Sequence, residues 1–183
     1  HVSHRWSLAE APAIGLAGRA ALELAGVGVD DLAHVDVYSC FPSAVQIAAK
    51  EIDLGLDRPL TVTGGLSFAG GPWNDYVSHS IAAMVDRLRG DAGSVGLVTA
   101  NGGYLTKHSF GVYSTTPPPQ PFRHANLQEQ VDQRPRRELA TEVDTDVTVE
   151  AATVSHDREG GPERAILSTL LADGRRAWGT TSD

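Results

Sequence analysis

The sequence predicts an α/β protein, a layered α-β-α domain followed by a small antiparallel β unit. Three observations carry this reading. Before residue 115, helical and strand patterns alternate in the order α-β-α-β-α-β-β. After the stiff spacer Pro117-Pro118-Pro119-Gln120-Pro121, the periodicity is that of strands. Between an apolar run at residues 60–63 and a helical pattern at residues 76–88 lies Gly64-Gly65-Leu66-Ser67-Phe68-Ala69-Gly70-Gly71-Pro72-Trp73-Asn74-Asp75. A strand is therefore expected to open into a glycine-rich loop, and the loop into a helix. Glycine lets a backbone adopt positive φ and approach a ligand closely, and a helix start aims free N–H groups at what lies before it.

The elements follow in order. Residues 11–25 are rich in Ala and Leu and predict a helix that Gly26 and Gly28 stop. Residues 33–38 alternate as a strand. Pro42 suits a first helical position, and residues 43–54 continue with Val45, Ile47, Ala48 and Ile52 apolar. Residues 60–63 read as a short strand. Val77, Ile81, Met84, Val85 and Leu88 then share one helical face, with Asn74 or Asp75 as the cap and Gly90 as the end. Residues 94–100 form an apolar strand, Gly102-Gly103 turns, and residues 108–115 return.

The expected organisation is a first domain over residues 1–115, a connector over 116–139 and a β domain over 140–183. Residues 127–139 are polar and charged, as an exposed connector is. Residues 141–155 alternate, Gly160-Gly161-Pro162 turns, residues 165–171 form a strand, and Asp173-Gly174 marks a hairpin returning through residues 176–180. So short a β unit cannot bury a large core alone.

Composition narrows the function. The chain has 183 residues, 41% apolar and 21% charged, as a globular protein does. A net charge of −8 argues against a nucleic-acid surface. No apolar run is long enough to span a membrane and no signal peptide is visible. The single cysteine, Cys40, excludes an internal disulfide and suits a reducing, cytoplasmic compartment. The chain opens on His1 rather than Met, so a piece of a longer protein is expected. No His/Cys/Asp/Glu cluster has metal-ligand spacing, and no metal is expected.

Several segments together resemble the C-terminal half of the thiolase fold over residues 8–115. They are the lead-in Ala9-Glu10-Ala11-Pro12-Ala13 with the Ala-rich helix after it, Tyr38-Ser39-Cys40-Phe41 where thiolases show Asn-Glu-Ala-Phe or His-Asp-Cys-Phe, the glycine loop where they show Gly-Gly…Gly-His-Pro, and Thr99-Ala100-Asn101-Gly102-Gly103 where they show a Cys-x-Gly run. The closing Lys107-His108-Ser109-Phe110-Gly111-Val112-Tyr113-Ser114, the proline spacer and the extra β unit are most similar to thiolase-like protein type 1, a group that appends a small OB-like domain. The resemblance implies an acetyl-CoA acetyltransferase-like protein of lipid metabolism, with coenzyme A or acyl-CoA as ligand and no covalently bound cofactor. It implies an N-terminal thiolase half as partner. Without that half the chain is expected to expose an apolar helix face and to self-associate as a homo-oligomer.

The departures matter as much. Gly71 stands at the position of the activating histidine, Thr99 or its neighbour at the second cysteine, and Tyr38 at the Asn or His that places an oxyanion-hole water. Losing one such group costs a factor of about 10² or more, so ordinary thiolysis is not expected while thioester binding is. The resemblance places the ligand against Gly64, Gly65, Ser67, Phe68, Gly70, Gly71, Trp73, Asn101, Gly102 and Gly103, with Tyr38 and Tyr104 as candidate acid/base residues. A carbon–carbon lyase acting on a β-hydroxyacyl-CoA through these tyrosines, and a non-catalytic scaffold, are the rival readings. Cys40 reads as a structural cysteine rather than a nucleophile. His79 either reaches the site or faces solvent, His108 is structural or surface, and Trp73 walls the pocket or anchors packing. Asp144 and Asp146 read as a solvated strand edge.

Overall fold

The computed structural model describes residues 1–181, which fall into two compact units, Ala9–Arg134 and the pair His1–Leu8 with Pro135–Asp183. The first unit is the expected α-β-α sandwich. Helix α1 spans Pro12–Ala25 and starts on a proline, where a missing N–H costs nothing. Gly26 ends it in the left-handed region, φ 72°, with its N–H and that of Val27 returned to Leu22 O. Strand β1 covers Leu32–Asp36 and α2 covers Pro42–Glu51. A one-turn helix, α3, spans Leu66–Ala69, and α4 spans Tyr76–Gly90. Strands β2 (Val95–Gly102) and β3 (Lys107–Ser114) complete the sheet.

The sheet order is β1-β2-β3, with β1 parallel to β2 and β3 antiparallel. One face carries Val35, Val37 and Leu97 against Ile14 and Leu22 of α1 and Ala48, Ala49 and Ile52 of and after α2. The other carries Val98 against Met84 and Leu88 of α4. Parallel strands covered on both faces are expected to be apolar throughout. Asp36, fully buried at the end of β1, and Thr99 on β2 are exceptions.

Several expectations are corrected. Residues 60–63 form no strand. Leu60 O accepts the Val37 N–H at 2.9 Å, but Thr61, Val62 and Thr63 bond to the Asp36 side chain instead of a neighbouring strand. The loop does not run straight into the helix: α3 and a 3-10 turn at Trp73–Asp75 intervene. Asp75 stands at the cap of α4, but no side-chain capping bond forms there, and its Oδ2 lies 3.8 Å from His79 Nε2. Residues 127–139 are not merely a connector. They hold α5, Gln128–Asp132, and the second unit begins within them at Pro135. The exposed apolar surface is also not a face of the long helices. The large exposed side chains of this unit, Phe41, Leu56, Phe68, Trp73, Tyr104 and Phe122, lie outside α1, α2 and α4.

The second unit is a three-stranded antiparallel meander of β4 (Thr148–His156), β5 (Pro162–Leu170) and β6 (Arg176–Thr181). Asp144 and Asp146 are exposed but precede β4, so they are not on a strand edge. The centre of this unit is polar: Arg176, Ser168 and Thr169 are buried. Residues 182 and 183, part of the expected β domain, lie outside the described residues.

Candidate functional site

Because β1 and β2 are parallel, their C-terminal ends share one edge, where ligand sites of α/β sheets form. The four residues 38–41 lie at that edge, and each reaches a different neighbour. The Tyr38 N–H donates to Thr99 Oγ1 on β2 at 2.9 Å, and its ring meets Tyr76 edge-on with centroids 5.3 Å apart. Ser39 Oγ accepts the Leu66 N–H at the start of α3, 3.0 Å away. Asn101 Nδ2 donates to Cys40 Sγ at 3.0 Å. The Phe41 ring lies against Tyr104 with centroids 6.3 Å apart. One tetrapeptide thus ties the glycine loop, the end of β2 and the β2–β3 turn together.

The loop needs its glycines. Gly64, Gly65 and Gly70 have φ of 87°, 79° and 84°, a region closed to most side chains. A Cβ at Gly65 would also lie 2.7 Å from Ser39 Oγ. Gly70 and Gly71 serve differently: a Cβ at Gly70 meets nothing within 4 Å, and at Gly71 only Leu66 Cδ2 at 3.9 Å. The loop there presents open backbone. Beside it Phe68 is 85% exposed and Trp73 92% exposed. Trp73 holds φ 52°, which is unfavourable for a bulky residue. It is no packing anchor.

A small cleft borders Tyr38, with Thr99, Asn101, Leu105, His108 and Phe110 in its lining. Its polar groups are mostly committed. Thr99 is buried and bonded to Tyr38, and His108 Nε2 donates to Leu105 O at 3.1 Å. Asn101 Oδ1 is buried with no hydrogen-bond partner among the described residues. Burial, then the neighbouring Cys40 and Tyr76, push the Tyr38 phenol above the ordinary tyrosine value, so at neutral pH it carries its proton.

Of the residues singled out in the sequence, Tyr38, Gly65 and Asn101 meet through residues 38–41. Tyr104, 71% exposed, has Phe41 as its ring partner, while Tyr38 has Tyr76. Gly64, Ser67, Gly70 and Gly103 are exposed and Gly102 is half-buried at the end of β2. Cys40 is half-buried, and His79 faces solvent beside Asp75. Sequence reasoning missed Asp36, Ser39, Thr61, Thr63 and Ser80. The available signal was a polar residue between two valines in a strand buried on both faces, followed by Thr-x-Thr before two glycines.

The sandwich with its glycine loop is the fold of a thiolase-like protein. A monomeric SCP2-thiolase-like protein type 1 from Mycobacterium smegmatis has a crystal structure similar to all of this chain, with 37% identity and a TM-score of 0.91. The chain spans 41% of the length of that protein. Residues 126–183 match the family model described as the thiolase-like protein type 1 additional C-terminal domain. The C-terminal region of the chain thus carries the additional domain of thiolase-like protein type 1, and the chain as a whole is similar to part of such a protein. No curated protein matches it.

Proposed function

We propose that this chain supplies the C-terminal share of a thioester site, which binds coenzyme A or an acyl-CoA and does not carry out ordinary thiolysis. The observation that supports the reading is the open backbone at Gly70 and Gly71, held beside the ends of two parallel strands by residues 38–41. A flexible thioester arm needs such close backbone approach. The groups at the family's catalytic positions are unsuited to act as a general base. Gly71 has no side chain, Thr99 is bonded to Tyr38, and the Tyr38 phenol holds its proton. The partner in this reading is the rest of a longer thiolase-like chain.

A lyase reading keeps one supporting observation, the protonated phenol of Tyr38, which suits a general acid. Its companion Tyr104 has its ring against Phe41. The test follows free coenzyme A released from acetoacetyl-CoA, with coenzyme A as acceptor, using the protein that contains this chain. We expect binding by calorimetry without thiolytic turnover. Robust turnover would show that another residue replaces the missing histidine. Aldol cleavage that Tyr38→Phe abolishes, with binding retained, would favour the lyase.

A further inference from the structure

Resting on this reading of the loop, we infer that Asp36 is a positioning residue that clamps both feet of the glycine loop and so sets its affinity for ligand. Asp36 touches no part of the open face. It is fully buried, and its two carboxyl oxygens divide the work. Oδ2 accepts the Thr61 hydroxyl at 2.8 Å, the Val62 N–H at 2.9 Å and the Thr63 hydroxyl at 3.4 Å, which fixes the chain entering the loop. Oδ1 accepts the Tyr76 hydroxyl at 3.1 Å and the Ser80 hydroxyl at 2.6 Å, which fixes the helix leaving it.

The clamp extends into the loop itself. Thr63 Oγ1 lies 2.7 Å from the Tyr76 hydroxyl, joining the two feet, and accepts the Gly65 N–H at 3.0 Å. The next amide, Leu66 N–H, is held by Ser39 three residues beyond Asp36. The conformation of Gly64 and Gly65 therefore depends on a carboxyl group inside the sheet. Residues 61–63, which pair in no ladder, take these bonds in place of a strand's. Buried polar networks of this kind rigidify only when every member is satisfied.

Substitutions separate positioning from bulk stability. Asp36→Asn keeps an oxygen for the fixed Val62 donor and turns an NH₂ toward hydroxyls that can rotate to accept. Asp36→Ala removes both feet. In the full chain, without ligand, we expect Asp36→Ala to speed hydrogen exchange of the amides at residues 62–66 by about tenfold or more while β2 keeps its protection, and Asp36→Asn to restore loop protection. Coenzyme A affinity should follow the same order, falling about tenfold in Asp36→Ala, equivalent to 1.4 kcal/mol. Should Asp36→Ala unfold the unit, Thr63→Val, which removes the hydroxyl that joins Asp36, Tyr76 and Gly65 but leaves the carboxyl group with its other partners, carries the same test at those amides. Unchanged loop exchange in a folded Asp36→Ala or in Thr63→Val overturns the inference, as does faster exchange with unchanged affinity. Failure of the unaltered chain to bind coenzyme A overturns the ligand reading, and the exchange of the ligand-free loop still reports on the clamp.

Discussion

Arg176 shows how much of a unit one side chain can hold. It is fully buried, yet every direction of its guanidinium is occupied. Nε and Nη2 donate to the two Glu150 oxygens at 2.8 and 2.7 Å, and Nη1 donates to the carbonyls of Ser3 and Arg5 at 2.8 and 2.6 Å. The planar fork suits this; an ammonium does not. We expect Arg176→Lys to cost about 3 kcal/mol or more, because it leaves a carboxylate and carbonyls short of donors in a buried pair, measured by denaturant unfolding. The hydrogen bond from Arg176, helped by Ser168, holds Glu150 below the ordinary glutamate value. A depressed carboxyl stabilises the fold above its unfolded value, and that contribution fades as pH falls below it. The unit should therefore lose stability below about pH 4.5, and Glu150→Gln should flatten that slope. None of this was legible in the sequence, since an Arg beside another Arg in a hairpin reads as surface charge and its carbonyl acceptors lie at the other end of the chain.

Elements held by neighbours in sequence were legible, and elements held across the fold were not. The β5–β6 hairpin follows from Asp173-Gly174, and the structure closes it with Leu171 N–H on Arg175 O at 3.0 Å and Gly174 at φ 85°. The helices α1, α2 and α4 follow from apolar spacing and from the proline that opens α1 and α2. Residues 60–63 have a strand's composition, but a side chain rather than a strand satisfies their donors. The apolar face of α4 was also rotated by this. Its innermost row is Tyr76, Ser80, Met84 and Leu88, two of which are polar because they serve Asp36. Where α4 crosses the sheet, a Cβ at Gly96 would overlap Met84 Sδ, which is fully buried. We expect Gly96→Ala to destabilise the unit by about 1–3 kcal/mol through overpacking, and Met84→Ala to relieve that overlap in a double-mutant cycle.

At the scale of the molecule, the organisation expected from the sequence placed residues 1–8 with the first domain. The contacts group them with Pro135–Asp183 instead. His4 O accepts the Arg137 N–H at 3.0 Å, the Arg137 guanidinium stacks on Trp6 at 4.2 Å from the ring centre, and Arg176 holds the carbonyls of Ser3 and Arg5. Deleting residues 1–8 should therefore loosen the β unit and spare the α/β sandwich, as hydrogen exchange of β4–β6 against β1–β3 would show. Composition and turn signals place a boundary only where the chain changes character. They are blind to a short segment that folds with residues more than a hundred positions away.

That arrangement has a consequence for the order of folding. The residues Ala9–Arg134 form an insertion between two pieces of one unit. Closing so long a loop carries an entropic cost that grows only slowly with length, but the search for the contact is slow. A chain leaving the ribosome can complete the sandwich once residue 114 has emerged. The segment around Trp6 must wait unpaired until Arg137 and Arg176 are made. The β unit therefore closes late in synthesis, because its first strand of contacts and its last are made at opposite ends of the chain.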